Sequence, residues 1–503
     1  MISQTLRDAR KYEEINEKKI RQEERPDFHL STRVGWMNDP NGFSYYDGKY
    51  HLFYQYNPYE SRWGSMHWGH AVSTDLLHWE YCPAALAPDE AYDKDGCFSG
   101  SAETLEDGRQ LLMYTGVQKK TLPDGSVREE QTQCVAVGDG TDYVKYEKNP
   151  VITSDMLPQG CSKYDFRDPK IWKEADGTFY CVVGNRPQDG SGQILLFVSK
   201  DGFDWKFKSV LAENRNRYGK MWECPDFFKL DDKWVLFTSP QDMLPKDLEY
   251  HNGYGTLCLI GAFDEKSGMF TEHANQSIDY GIDFYAPQTI LTPDGRRVMI
   301  GWMQNWDTCS IRGQEEPWFG QMSLARELEI KNGRLYQKPV RELERMRCNR
   351  VSYSDVPLNG FLTLDGICGR RIDLEIVLRP KQGEELLRQF EIRFAQDERF
   401  YTSFSFKTYE SVLKIDRKFS GSTRTIVHQR RSLLKWAKDE LKFRLILDRY
   451  SAEIFVNDGE QVLTVTMYTD QSADGIKFFA DGTVNMDVTK YDLCMQAEGS
   501  DWK

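Results

Sequence analysis

No two of the eleven cysteines stand in a C-x-x-C pair. Their odd number and scatter argue against a disulfide framework, and leave the thiols as small hydrophobes in a reducing compartment. No apolar run approaches the length of a membrane span. The first residues are polar and charged rather than basic and then apolar, so they lack the form of a secretory leader. The chain is therefore expected to be soluble and cytoplasmic. Positive charge is scarce: 65 Lys and Arg stand against 78 Asp and Glu, a formal net charge of −13. That balance argues against nucleic acid and against an anionic membrane surface, and leaves a neutral small molecule open as the partner. There is no glycine-rich phosphate loop and no low-complexity segment.

What the chain does have is length and aromatics. Its 503 residues suffice for two or more domains, each with its own core. Aromatics make up 13% of it, set in many short apolar runs broken by Asp-Gly turns, which points to an all-β chain. The start is different. Leu6, Ala9, Tyr12, Ile15 and Ile20 recur among Lys, Arg and Glu, a spacing that predicts an amphipathic helix ended by Pro26. Residues 1–30 are read as this helical extension.

One stretch organises the rest: Trp36-Met37-Asn38-Asp39-Pro40-Asn41-Gly42. Pro presets φ and Gly accepts a positive φ, so Asp39 is expected in a turn at the mouth of a strand. Phe43 to Tyr56 reads as two strands joined at Asp47-Gly48. Alone, Asp39 would be a hydrogen-bonded turn residue. However, related openings recur at Phe98-Ser99-Gly100-Ser101, Phe166-Arg167-Asp168-Pro169, Trp222-Glu223-Cys224-Pro225 and Tyr285-Ala286-Pro287-Gln288. Each precedes about four strands' worth of sequence, with a period of roughly 55–70 residues. Five such units predict a five-bladed β-propeller over 31–335, whose innermost strands line one central cavity. A short linking helix is expected over 336–349. Regular short strands over 350–503, with a hairpin at Asn457-Asp458-Gly459, predict a β-sandwich.

The propeller brings three carboxylates, Asp39, Asp168 and Glu223, to what read as matching positions. Two carboxyl groups flanking a bond are the usual apparatus of glycoside cleavage. Asn38 and Asn41 are placed to donate to an ionised Asp39, and Arg167 to hold Asp168 ionised. Glu223, between Trp222 and Cys224 and near Phe227 and Phe228, would be desolvated and kept in its acid form. Asp39 thus reads as nucleophile and Glu223 as acid.

The motifs Trp-Met-Asn-Asp-Pro-Asn-Gly, Arg-Asp-Pro and Glu-Cys-Pro, in this order, resemble those of glycoside hydrolase family 32, the invertases, fructanases and sucrose-6-phosphate hydrolases. The resemblance covers nearly the whole chain, since that family has a five-bladed propeller followed by a β-sandwich. It implies a retaining β-fructofuranosidase, with Asp39 as nucleophile, Glu223 as acid/base and Asp168 binding sugar hydroxyls and stabilising the transition state. It also implies a fructose pocket of Asn38, Gln55, Trp63, Phe98, Ser99 and Arg167, with Tyr285 and Trp302 beside it, and no metal or cofactor. Sucrose, short fructo-oligosaccharides, sucrose 6-phosphate and longer fructans all present the same terminal fructose, so the leaving group stays open, as does the oligomeric state.

Competing readings are weaker. His67-Trp68-Gly69-His70 could suggest a metal, but a strand would turn the two rings to opposite faces. Trp68, Trp79, Trp172 and Trp205 read as core, and Trp63 as a sugar wall. An inverting propeller glycosidase would also use two Asp and a Glu, with water between the carboxylates. A non-catalytic sugar-binding propeller would have no use for a desolvated Glu.

Overall fold

The computed structural model describes residues 2–309, 316–380, 386–421, 427–437 and 439–495. The five units fold as five sheets, each opening with its innermost strand: Gly35–Tyr46, Gly96–Thr104, Cys161–Lys173, Trp222–Leu230 and Tyr285–Leu291. Blades one to four run antiparallel outward in sequence order, so each is a meander. The Asp47-Gly48 turn falls where expected, with Tyr46 paired to Lys49. In blade five a long excursion separates the second strand, Arg297–Trp302, from the third, Arg326–Lys331. Within that excursion Trp318–Phe319 adds in parallel to the inner strand of blade one, pairing with Gly35 and Trp36. This pairing closes the ring.

The inner strands share a defect that explains the site. Each loses register with its neighbour at the opening motif: between Met37 and Pro40, Phe98 and Gly100, Arg167 and Lys170, Glu223 and Asp226, and Tyr285 and Gln288. In a regular strand consecutive side chains point to opposite faces, whereas a bulge re-aims them. Asp168, Cys224 and Ala286, at the same point of three blades, adopt positive φ of 67°, 48° and 51°. That is a strained conformation for residues other than glycine. Pro40, Pro169, Pro225 and Pro287 are tolerated because an innermost strand is a sheet edge, where an N–H is not needed.

Below the motifs, one polar side chain from each blade occupies the propeller axis: Asn41, Ser101, Lys170, Asp226 and Gln288, all buried. They satisfy the edge groups of neighbouring inner strands. Asn41 accepts from Gly100 N (3.2 Å), and Ser101 accepts from Ile171 N and donates to Pro169 O (both 2.8 Å). Lys170 donates to Thr289 O (2.8 Å), Asp226 accepts from Thr289 N (2.5 Å), and Gln288 donates to Gly100 O (2.7 Å). Unpaired backbone at a sheet edge must find partners, and here the blades supply them to one another.

The expected linking helix is one 3-10 stretch, Arg341–Met346, entered from a strand ending at Pro339 and left by a strand starting at Arg347. Beyond it two sheets share a long antiparallel pair, Arg347–Leu362 with Gly475–Leu493. One half of the latter strand pairs with Ile372–Pro380 and the other with Gln389–Gln396, so the two sheets face each other across one apolar core. The Asn457-Asp458-Gly459 turn joins two strands as expected. Glu453 and Asp448 of the sandwich hold His29 at 2.9 and 2.8 Å, and Glu453 also takes Arg326 Nε at 2.8 Å. Arg417 reaches Asp283 at 2.6 Å. These buried pairs fix the sandwich to the propeller.

Two expectations need correction. The N-terminal helix, Gln4–Glu17, ends well before Pro26. It buries Leu6 and Ala9 as read, but also Glu13, whose carboxylate accepts from Ala84 N at 2.9 Å and pairs with Arg33 at 3.1 Å. Ile15 faces solvent. The cysteines are not all free either: Cys348 and Cys494 form a disulfide that ties the first sandwich strand to the end of the last, while the other nine are unpaired.

Candidate active site

Four of the five opening motifs converge on one open cleft of about 860 Å³ at the mouth of the propeller axis. The bulges put adjacent side chains into it from three blades: Asn38 with Asp39, Phe98 with Ser99, and Arg167 with Asp168. Glu223 lines it from blade four. The structure also corrects the alignment of the carboxylates. Counting back from the shared prolines, Asp39 and Asp168 are equivalent to Cys224, and Glu223 is equivalent to Asn38, Arg167 and Tyr285. The third carboxylate therefore enters one residue out of step and approaches the cleft from a different side.

Asp39 is 8% exposed. Its Oδ1 accepts from Asn38 Nδ2 (3.1 Å) and its Oδ2 from Ser99 Oγ (2.8 Å) and the Cys224 thiol (3.3 Å). Asn38 is itself steered by Trp36 Nε1 at 2.7 Å. The expected second amide is absent, since Asn41 turns into the axial ring. Asp168 accepts from Cys224 N (3.0 Å), while its own N–H donates to Thr115 Oγ1 (2.9 Å). Cys224 thus stands between the two aspartates.

Glu223 differs from its expected setting. Its neighbours are polar rather than the aromatic rings of Phe227 and Phe228, which sit in blade cores. Oε1 accepts from Arg167 Nη2 (2.9 Å) and Nε (3.2 Å). Oε2 lies 2.7 Å from the Tyr285 hydroxyl, which is also 2.8 Å from Ser239 O. A phenol has one proton and a carbonyl only accepts. Tyr285 therefore divides one proton between the Glu223 carboxylate and the Ser239 carbonyl. The Arg167 guanidinium hydrogen-bonds Glu223 and stands 3.9 Å from the Asp168 carboxylate, whose ionised form its charge also favours.

The electrostatics follow. Burial, then the charge of Glu223, raises Asp39 above the usual carboxylate range, against the pull of its three donors. Burial raises Asp168 to about 7; Arg167 opposes this, and Glu223 and Asp39 add to it. Burial works against the charge on Arg167, and Glu223, Asp168 and Asp165 more than offset it. Three carboxylates and one guanidinium share a nearly dry floor, an environment that strongly favours any positive charge brought among them.

Gln55, Trp63, Phe98, Ser99, Asn38 and Arg167 all line the cleft as read. Gln55 is held by Cys97 O at 2.9 Å. Trp63 is 43% exposed and stands edge-on to Phe98, with ring centroids 6.0 Å apart. Tyr285 and Trp302 are fully buried and do not reach the cleft surface. Tyr285 acts from behind Glu223. Trp302 packs against Trp36 and Trp306, and it is Trp306 that forms the wall. Gln131, Asp165, Arg186, Tyr254 and Gln241 also line the cleft and had no sequence signal. His67 and His70 point apart: His67 Nδ1 meets Ser65 O at 2.8 Å, and His70 Nε2 meets His51 Nδ1 at 3.0 Å. Trp68 and Trp205 are core, whereas Trp79 and Trp172 are only half-buried.

A five-bladed propeller with a protonatable glutamate facing two buried aspartates across an open cleft is the apparatus of a glycoside hydrolase. The model of the glycosyl hydrolases family 32 N-terminal domain matches residues 29–339, and that of the family's C-terminal domain matches 342–493. The chain belongs to glycosyl hydrolase family 32. It is 37% identical over 464 residues to a sucrose-6-phosphate hydrolase of Escherichia coli, covering 90% of this chain and 91% of the relative. It is 36% identical over 468 residues to a raffinose invertase of the same organism, covering 90% and 92%. Among solved structures, a Bombyx mori GH32 beta-fructofuranosidase superposes with a TM-score of 0.83 at 34% identity, covering 97% of this chain and 98% of that one. No helix among the described residues is long and apolar enough to cross a membrane.

Proposed function

We propose that the chain is a retaining β-fructofuranosidase that releases terminal β-D-fructose from sucrose and short fructo-oligosaccharides. The observation that carries this is the pairing of Asp39 with Glu223: an aspartate held by three donors shares the floor of the cleft with a glutamate held by Arg167 and Tyr285. A fructosyl group leaves through a transition state with positive charge on the ring. Asp39 and Asp168 lie buried where that charge develops, so its appearance relieves their mutual repulsion. Glu223 gives its proton to the leaving oxygen while Asp39 bonds to the anomeric carbon. Forming that ester removes the charge of Asp39. Arg167 then favours the ionised Glu223, which takes a proton from the incoming water. Asp168, bonded by Cys224 N, is placed to accept from sugar hydroxyls. Relatives support the substrate: the Bombyx mori enzyme has an aspartate-to-alanine variant solved in complex with sucrose, and this chain superposes on it with a TM-score of 0.82 at 33% identity. A substrate panel with product sugars identified tests the reading. Fructose released first as the β anomer is expected, and first release of the α anomer would favour an inverting mechanism.

A second reading, sucrose 6-phosphate as substrate, rests on the outer rim. Arg128 lines the cleft there, is exposed, lies over the Tyr164 ring at 5.0 Å and makes no ion pair among the described residues. Arg186, held by Asp165 at 2.6 Å, also lines the cleft. A guanidinium without a carboxylate is suited to phosphate. Arg128→Ala should lower kcat/KM on sucrose 6-phosphate while sparing sucrose; equal loss on both substrates would remove this reading. The nine unpaired cysteines support placement in the cytoplasm, from which the Cys348–Cys494 pair departs. Thiol labelling of protein quenched in the cell would find both of these cysteines reactive in a reducing compartment.

A further inference from the structure

Two loops bring aromatic rings to the cleft from outside the opening motifs. Residues 241–255 join the second and third strands of blade four and carry Tyr254, and residues 303–309 begin the excursion of blade five and carry Trp306. Glu223 gives its proton to the leaving oxygen, so whatever stands beside Glu223 faces the leaving group. Tyr254 is so placed. Its ring lies edge-on to Tyr285, with centroids 5.8 Å apart, and the Tyr285 hydroxyl bonds Glu223. Burial raises the Tyr254 phenol above its ordinary value, and the charge of Glu223 adds to this. Among the described residues that hydroxyl makes no hydrogen bond, which leaves it free for a sugar hydroxyl.

The two rings are held by different means. Trp306 packs ring on ring with Trp36 and Trp302. Tyr254 is held through its backbone, whose N–H donates to Asp307 Oδ2 at 3.0 Å. Asp307 is steadied in turn by its own loop: its N–H donates to Asn305 Oδ1 at 2.8 Å, and Asn305 Nδ2 donates to Ile282 O at 2.8 Å. The loops approach so closely that a Cβ on Gly253 would lie 2.2 Å from Asp307 Oδ2, and Gly253 has a φ of 92°. Glycine alone suits both conditions. The sandwich backs the junction. Gln304 donates to Thr466 Oγ1 at 3.3 Å, and the half-buried Arg430, whose charge burial opposes, is favoured first by Asp307 and then by Asp283.

We propose that Asp307 is a positioning residue for the leaving-group side of the cleft: it pins the Tyr254 loop to the Trp306 loop and so fixes a wall that recognises the sugar joined to fructose. This rests on the reading of the cleft as a fructosidase site. Asp307 does not itself line the cleft. Its removal frees Tyr254 while Trp306 keeps its stacking partners, so the hold on the leaving sugar weakens and the three carboxylates stay in place.

The test compares sucrose with fructosyl fluoride, which presents no sugar on the leaving side. In Asp307→Ala the KM for sucrose should rise several-fold with kcat largely kept. On the fluoride kcat/KM should stay within about twofold of wild type, the pattern of lost ground-state binding, which also shows that the variant folds. Asp307→Asn keeps an acceptor oxygen for Tyr254 N and should match wild type on both substrates. Gly253→Ala, whose Cβ displaces Asp307, should repeat Asp307→Ala. Amide hydrogen exchange reads the pin without reference to activity: the Tyr254 N–H should be protected in wild type and Asp307→Asn, and exchange fast in Asp307→Ala. Unchanged sucrose kinetics in both Asp307→Ala and Gly253→Ala, equal losses on sucrose and the fluoride, Asp307→Asn as impaired as Asp307→Ala, or unchanged exchange at Tyr254 would each overturn the proposal. A wild-type chain that released fructose from neither substrate would instead refute the fructosidase reading, and the exchange result would still decide whether the pin exists.

Discussion

Replacing Glu223 tests the mechanism at its most informative point, because the structure says what two different replacements should do. In Glu223→Gln the amide oxygen can accept from Arg167 and the amide nitrogen can donate to Tyr285, which still donates to Ser239 O. Both contacts of the side chain are kept, so folding stability should change by less than about 1 kcal/mol and KM for sucrose should change little. The proton is gone, however. General acid–base catalysis is worth about 10²–10⁴ in rate, or roughly 3–5 kcal/mol of barrier, and kcat on sucrose should fall by that factor. Glu223→Ala should be as inactive on sucrose, and it also opens space beside Asp39. On fructosyl fluoride, whose leaving group needs no proton, Glu223→Ala should show a burst and then stall with fructose esterified to Asp39. Azide needs no general base and should restore turnover, giving β-fructosyl azide. Stopped-flow fluoride release and intact-protein mass spectrometry read both steps. An adduct on any residue other than Asp39, an inverted azide product, or the absence of a burst on the fluoride would refute the assignment.

Other substitutions and pH check separate parts of the structure. Asp39→Asn keeps one acceptor oxygen, for Asn38 or for Ser99 but not for both, and it cannot form the ester, so sugar release should vanish with little change in melting temperature; a few per cent of residual activity would contradict it. Trp63→Ala removes an exposed wall, so KM should rise several-fold with kcat largely kept, and a fall in kcat alone would place Trp63 elsewhere in the cycle. Stability should peak near neutral pH, for two opposite reasons. Burial opposes the charge on His29, but Asp448 and Glu453 raise it from 6.5 to about 9, so its contribution is complete below 6.5 and is lost as pH rises through about 9. Burial lowers His51 and His67 to about 4, and these contributions, present above 6.5, are lost as pH falls through about 4. Each is on the order of 3 kcal/mol. Urea midpoints across pH 4–10 would show both limbs, and His29→Gln should flatten the alkaline one.

Much of this was legible in the sequence because the propeller writes its geometry into local motifs. Prolines at four equivalent sheet edges flagged the inner strands, and aromatic-rich runs between Asp-Gly turns flagged the blades. The one-residue offset of Glu223 from the equivalent of Asp39 is visible by counting back from the prolines; what the motifs hid is the direction in which the bulges aim each side chain. For the same reason Arg167 was assigned to its sequence neighbour Asp168, although its guanidinium reaches across to blade four. Trp306, Tyr254, Gln131 and Arg186 reach the cleft from loops and outer strands, where tertiary packing alone decides the approach. Cys348 and Cys494 are 146 residues apart with no motif around them, and only the long shared strand pair brings them together.

The parallel pairing of Trp318–Phe319 with Gly35 and Trp36 also sets an order of events during synthesis. The strand that carries Asp39 leaves the ribosome among the first, yet its inner edge is completed by residues made nearly three hundred positions later. Contacts so distant in sequence are slow to form and cannot be anticipated by local structure. Blades one to four can fold as they emerge, but the floor of the cleft acquires its final shape only when blade five has been translated and its excursion has returned. A nascent or truncated chain that lacks this segment contains all three carboxylates on an unfinished ring and is expected to release no sugar, which an assay of the truncated chain checks.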